Sequence, residues 1–170
     1  MMKDKPFFAW SDAMSVGITE IDDQHKTLVG ILNRLFVAVA QREGNEITIE
    51  ILDTLVDYTR THFGLEEKLL LDAGYSPVEF AAHQREHRAF IEKISTAANK
   101  HLVEEKSVSF EIINFLKRWL QDHILITDMK YADALKKAGY STRDWTNMAS
   151  DAMAKKQAET PKRRQWWKVW

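Results

Sequence analysis

No cysteine occurs among the 170 residues of this chain. Disulfides, thiolate zinc sites and iron–sulfur clusters are thereby excluded, and histidine and carboxylate remain as the strong metal ligands. No uninterrupted apolar stretch is long enough to span a bilayer. The N-terminus, MMKDKPFFAW, has charges where the apolar region of a signal peptide would run. The formal net charge is −1, so the composition implies neither nucleic acid nor a strongly acidic partner. A strand-type alternation of any weight is also missing. The expectation is a soluble, cytoplasmic, all-α protein of one ordinary domain, taken as a monomer.

Apolar residues recur at helical spacing through four segments separated by short polar or glycine-containing breaks. The first runs from about Thr19 to Gln41, with Gly44 and Asn45 expected to end it. The second runs from about Glu46 to Asp72 and closes at Gly74. The third opens with Ser76, Pro77 and Glu79, a capping-box start. The fourth covers about Val108 to Lys137 and stops at Gly139. Short connections make successive helices antiparallel, which gives an up-down-up-down four-helix bundle over residues 18–138. Residues 1–17 read as an extended arm whose Phe7, Phe8 and Trp10 pack on the bundle. Residues 139–170 read as a shorter helix, from Thr142 to about Gln157, followed by a basic, tryptophan-rich tail.

Five of the six histidines fall on the apolar seams of these helices together with two carboxylates. They are His25 on the first helix, His62 and Glu66 on the second, His83 and His87 on the third, and His123 and Asp128 on the fourth. Early and late positions alternate on alternating helices, so all seven meet at one level of the bundle. His62 with Glu66, and His83 with His87, are four residues apart and share a helix face. His123 and Asp128 are five apart, which turns the carboxylate about 140° away on an ideal helix. Both can serve one site only if the carboxylate reaches fully or the helix loosens locally. His101 follows the stripe of His87 but lies about 21 Å further along the axis, so it reads as a helix-end or surface histidine. A soluble bundle seldom buries this much polar chemistry without a metal to compensate it.

Five imidazoles and two carboxylates are too many for one tetrahedral zinc. Even if both carboxylates bridge, they do not saturate two octahedral ions, and one solvent-derived bridge still leaves them one donor short. With one solvent-derived bridge, one ion has six ligands and the other keeps an open position. An open position facing an apolar pocket is what reversible binding of a small diatomic requires. Leu28, Phe63, Trp119, Leu120 and Ile124 stand one step or one turn from the candidate ligands and are the natural walls of such a pocket, as well as ordinary bundle core.

The motifs VGITEIDDQHKTL, THFGLEE, HQREH and WLQDHILITDMKY, spread over about Trp10 to Tyr131, resemble those of the hemerythrins in their bacterial single-domain form. The resemblance implies two iron ions joined by an oxo or hydroxo bridge. His83, His87 and His123 would hold one ion, His25 and His62 the other, with Glu66 and Asp128 bridging. It also implies the five-residue step from histidine to aspartate, and the chain departs from the pattern at no ligand position. The implied activity is reversible binding of dioxygen at the two-histidine iron, for storage or delivery, without turnover as an enzyme.

Rival readings from other classes are a di-iron redox enzyme (an oxidase, peroxidase or nitric oxide reductase), an iron store, and an oxygen or iron sensor. The paired E-x-x-H motifs of ferritin-like enzymes occur nowhere in the chain, a site that saturates at two ions is a poor store, and a sensor is expected to be fused to a signalling domain, for which these 170 residues leave no room. In the tail, Lys162, Arg163, Arg164 and Lys168 interleave with Trp166, Trp167 and Trp170. That pattern suits a membrane interface or an anionic partner surface, such as a membrane oxidase, reached through residues 161–170. A solvated tail, or tryptophans folded back on the bundle, is the plainer alternative.

Overall fold

Helical periodicity becomes helix along nearly the whole bundle region. The computed structural model describes residues 5–103 and 108–139, and the expected helix at 142–157 and the tail at 161–170 lie outside the described residues. The elements are α1 (Thr19–Ala40), α2 (Asn45–Asp72), α3 (Pro77–Val103), α4 (Phe110–Asp122), a π-helical segment (His123–Asp128) and α5 (Met129–Lys137). Among the described residues there is no strand. α1 packs on α2 and α4, and α2 on α3, as in the four-helix bundle the spacing predicts.

Local chemistry explains the boundaries. Gly74 and Gly139 adopt left-handed backbone with φ of 67° and 75°, a conformation glycine enters without a Cβ penalty, so each stops its helix. Asn45 begins α2 rather than ending α1. The reversal is completed one residue earlier, with Arg42 at φ 53° and Gly44 at φ 103°. The fourth helix starts at Phe110 rather than Val108, because Ser109 takes the N-cap and its hydroxyl accepts from the backbone N–H of Ile112. The N-terminal arm is not wholly extended, since a 3-10 turn spans Asp12–Met14. Its aromatic residues do pack on the bundle. Phe7 stacks on Phe36 with ring centroids 4.3 Å apart, and Phe8 is buried, with its backbone pinned to Asn33 by two hydrogen bonds of 2.8 Å.

The core comes in two parts. The larger contains Leu28, Leu32, Leu55, Phe90, Ile113 and Leu120. The smaller contains Ile18, Ile21, Leu65, Leu69, Tyr131 and Leu135. The candidate ligands fall between the two parts: His25 between Ile21 and Leu28, Asp128 between Ile124 and Tyr131, and on α3 His83 and His87 between the half-buried Phe80 and the core residue Phe90. The polar layer is thus sealed from both ends by apolar packing.

Candidate metal centre

All seven candidate ligands are buried. Four of them, Glu66, His83, His87 and His123, offer atoms close enough to share one ion, and His25, His62 and Glu66 form a second such group. Glu66 belongs to both. In the first group the Nε2 atoms of His83 and His87 are 2.9 Å apart, and those of His87 and His123 are 3.0 Å apart. Donors at right angles around an ion, with bonds of about 2.1 Å, stand about 3 Å from one another. The imidazoles therefore already occupy adjacent corners of a coordination sphere. Glu66 Oε2 stands 3.3 Å from His83 Nε2 and 3.2 Å from His87 Nε2.

Asp128 reaches both groups, one oxygen to each. Its Oδ1 lies 3.2 Å from His123 Nε2, and its Oδ2 lies 3.2 Å from His25 Nε2. What allows this is the π-helical segment. In a π-turn the hydrogen-bonded step is five residues rather than four, so the residue five positions after His123 returns to its face. The loosening that the His123–Asp128 spacing demands is built into the backbone.

The polar balance of the layer suits a cation. Both oxygens of Asp128 and both nitrogens of His25 are buried without a hydrogen-bond partner, an arrangement that costs free energy for each orphaned group. His87 is drawn toward the charged form. Burial opposes its charge, yet Glu66 and Glu67 together raise its pKa to about 8. His62 goes the other way, lowered to about 3 chiefly by burial. Burial also works against the charge on Glu66, but the surrounding imidazoles of His62, His83 and His87 prevail and hold its carboxyl well below the usual range. The donor set, its spacing and its orphaned atoms fit a pair of metal ions that share two carboxylates.

Around this layer stands a ring of residues that sequence reasoning did not identify. Gln24 Oε1 meets His62 Nδ1 at 2.6 Å, Glu67 Oε1 meets His87 Nδ1 at 2.9 Å, and Glu86 Oε2 meets His123 Nδ1 at 2.9 Å. An oxygen acceptor on Nδ1 keeps the proton there and turns the Nε2 lone pair inward. Gln84 steadies Glu67 from α3, and Thr127, within the π-segment, steadies Glu86. The hydrogen bond from His123 holds Glu86 down to about 2. Tyr131 is fully buried and donates its hydroxyl to Glu66 Oε1. Burial and the neighbouring anions Asp128 and Glu66 push its pKa well above the usual phenol value, so it remains a donor. The only sequence signal for these residues is their place one to three positions from a ligand, which many solvent-facing residues share.

Two of the expected wall residues lie directly on ligand rings. Phe63 stacks on His87 at 3.6 Å and Trp119 on His123 at 4.3 Å, with Phe90 stacked on Trp119 at 3.9 Å. Leu28, Leu120 and Ile124 are buried core on the side of the larger cluster. Trp10 from the arm comes within 6.3 Å of His25, a neighbour the sequence did not place there. His101 lies in the last turn of α3, away from the centre as expected, but it is buried, with 3 % exposure, rather than on the surface.

Comparison with known proteins agrees with this geometry. The family model described as "Hemerythrin HHE cation binding domain" matches residues 16–135. A protein of Stenotrophomonas maltophilia named bacteriohemerythrin is 38% identical over 127 residues, covering 75% of this chain and 80% of its own. The Pseudomonas aeruginosa bacteriohemerythrin is 39% identical over 128 residues with the same coverages. A solved structure of wild-type hemerythrin superposes with a TM-score of 0.71 at 30% identity, covering 76% of this chain and 98% of that one.

Proposed function

Because the chain belongs to the hemerythrin family, whose members bind dioxygen at a non-haem di-iron site, we propose that it binds dioxygen reversibly, for storage or for delivery to oxygen-requiring enzymes, and does not turn over as an enzyme. The observation that carries this reading is the shared donor set: Glu66 stands in both groups of candidate ligands, and Asp128 offers one oxygen to each. His83, His87 and His123 would hold one iron and His25 and His62 the other, with Glu66 and Asp128 available to both. When bound, the two irons, with their oxo or hydroxo bridge, supply the two electrons that a reversibly held dioxygen borrows.

The chain's own residues do the rest. Glu67, Glu86 and Gln24 keep protons on the outer nitrogens, so the inward nitrogens stay available as donors. Tyr131 holds one oxygen of Glu66 in place. Phe63 and Trp119 cover ligand rings with apolar faces and exclude water, which suppresses irreversible oxidation. Five imidazoles and two carboxylates converge, and with one solvent-derived bridge they would leave a pair of six-coordinate ions one position open. A histidine-rich set of this kind favours a carrier over an oxygen-activating enzyme.

The decisive experiment loads the protein with ferrous iron anaerobically, admits oxygen and records the visible spectrum. A new band that vanishes on degassing is expected. Irreversible oxidation, or sustained turnover with a reductant, would instead identify an enzyme. Trp119→Ala should leave the band's appearance intact but make it bleach about tenfold faster, because water gains a path along His123. An unchanged bleaching rate would remove Trp119 from the wall.

Among the described residues no helix is long and apolar enough to cross a membrane. We place the protein in the cytoplasm as a monomer, with residues 161–170 as a contact for anionic membrane surfaces. Deleting those ten residues should lower co-sedimentation with anionic liposomes, and unchanged co-sedimentation would end that assignment.

A further inference from the structure

We infer that the two metal positions are unequal by construction, and that the position formed by His83, His87 and His123 fills first and empties last. The inference rests on the di-iron reading above and extends it to the order of loading. Three independent features point the same way.

The first is the donor count. His83, His87 and His123 present their Nε2 atoms together with Glu66 Oε2 and Asp128 Oδ1. The other position has two imidazoles, His25 and His62, and the remaining carboxylate oxygens.

The second is the charge behind the imidazoles. His87 and His123 each have a carboxylate on Nδ1, from Glu67 and Glu86. An anion hydrogen-bonded to the outer nitrogen raises the basicity of the inner one and strengthens its bond to a metal. His62 has only the neutral amide of Gln24, and His25 Nδ1 is buried with no hydrogen-bond partner. Among the described residues, carboxylates hydrogen-bonded to Nδ1 lie behind this position only.

The third is Tyr131. Its hydroxyl bonds Glu66 Oε1, whereas Glu66 Oε2 faces His83 and His87. The oxygen that faces the three-histidine position is thus the one no phenol claims.

Outer hydrogen-bond partners typically change metal affinity about 10- to 100-fold each. Two anionic partners against none should therefore separate the two steps by about 100-fold or more. The order also suits the function proposed, since the less saturated ion is the one that needs a free position.

The test strips the full-length protein with a chelator and titrates it with cobalt(II) alone, under argon. Stepwise binding by itself decides nothing, because two dications repel one another in any such site. The identity of the first-filled position decides, and anomalous scattering from crystals grown with one equivalent of cobalt(II) reads it directly. Cobalt at His83, His87 and His123 is expected. Cobalt at His25 and His62, or equal occupancy of both, would overturn the inference.

Conservative variants supply a second reading. Glu67→Gln and Glu86→Gln should each weaken the first step about 10- to 100-fold, while Gln24→Glu should strengthen the second by a similar factor. Movement of both steps together, or of neither, would also overturn it. If the stripped chain does not refold, timed chelation of the two-ion protein asks the same question, and the ion on His25 and His62 should leave first. Ordered loading of two ions without a reversible oxygen band would leave this inference standing and sink the oxygen-binding reading. Failure to hold a second ion at all would sink both.

Discussion

Glu66→Ala should strip the protein of both ions at once, lowering its iron content from two per chain to well below one. Glu66 is the residue common to the two donor groups. Its loss removes an anion from beside His62, His83 and His87 together, and those imidazoles are what hold its carboxyl ionised. The same change orphans the Tyr131 hydroxyl in a fully buried position, which costs about 1–3 kcal/mol. Glu66→Gln separates the two effects. Its carbonyl can still accept from Tyr131 and its volume is unchanged, so the melting temperature of the metal-free form should stay near that of the metal-free parent while the iron is still lost. Elemental analysis and thermal melts of both variants check this. Retention of two irons by either one would remove Glu66 from the bridging role.

Removing the metal from the unaltered protein should lower its melting temperature by about 10 °C or more. Without an ion, the buried carboxylate of Asp128 would have only poorly aligned imidazoles of His25 and His123 at 3.2 Å, and neither nitrogen of His25 makes a hydrogen bond. At about 1–3 kcal/mol for each unsatisfied buried group, their cost amounts to several kcal/mol. A chain of this size shifts its melting temperature by about 2–4 °C per kcal/mol. Ligand binding to the folded state alone adds further stability by mass action. Calorimetry with and without chelator, at one protein concentration, measures the difference. A shift of less than about 3 °C would mean that the polar layer is satisfied without an ion.

The bundle was readable because a 3.6-residue apolar period and glycine stops need only local information. Thr19, Asp72 and Lys137 fall at or within one residue of the helix ends expected for them. The ligand set was readable for a related reason: on an apolar seam, histidine and carboxylate stand out from everything around them. Asp128 shows where that logic reaches its limit. Its five-residue distance from His123 breaks the helical period, and the resolution lies in a π-segment that no propensity of His-Ile-Leu-Ile-Thr-Asp announces.

The outer partners were not readable. Glu67 and Glu86 resemble any charged residue on a helix flank, and only the packing of α2 on α3 and of α3 on the π-segment brings them to Nδ1 of His87 and His123. His101 is the helix-end histidine its position suggests, but it is not on the surface. Distance along one helix correctly kept it from the centre, but its burial depends on the elements packed around it.

The sequence by itself therefore determined the four helices, the seven inward-facing ligand candidates and the level at which they meet. Each of these follows from periodicity along one helix and the antiparallel order of short-looped neighbours. Only the tertiary structure decided which oxygen of Asp128 faces which histidine, which imidazoles have an anion behind them, and which oxygen of Glu66 Tyr131 claims. Those are matters of a few ångströms between residues as distant in sequence as His25 and Asp128 or Glu66 and Tyr131. No pattern along one chain segment encodes such distances, because they are fixed by how four separate helices settle against one another.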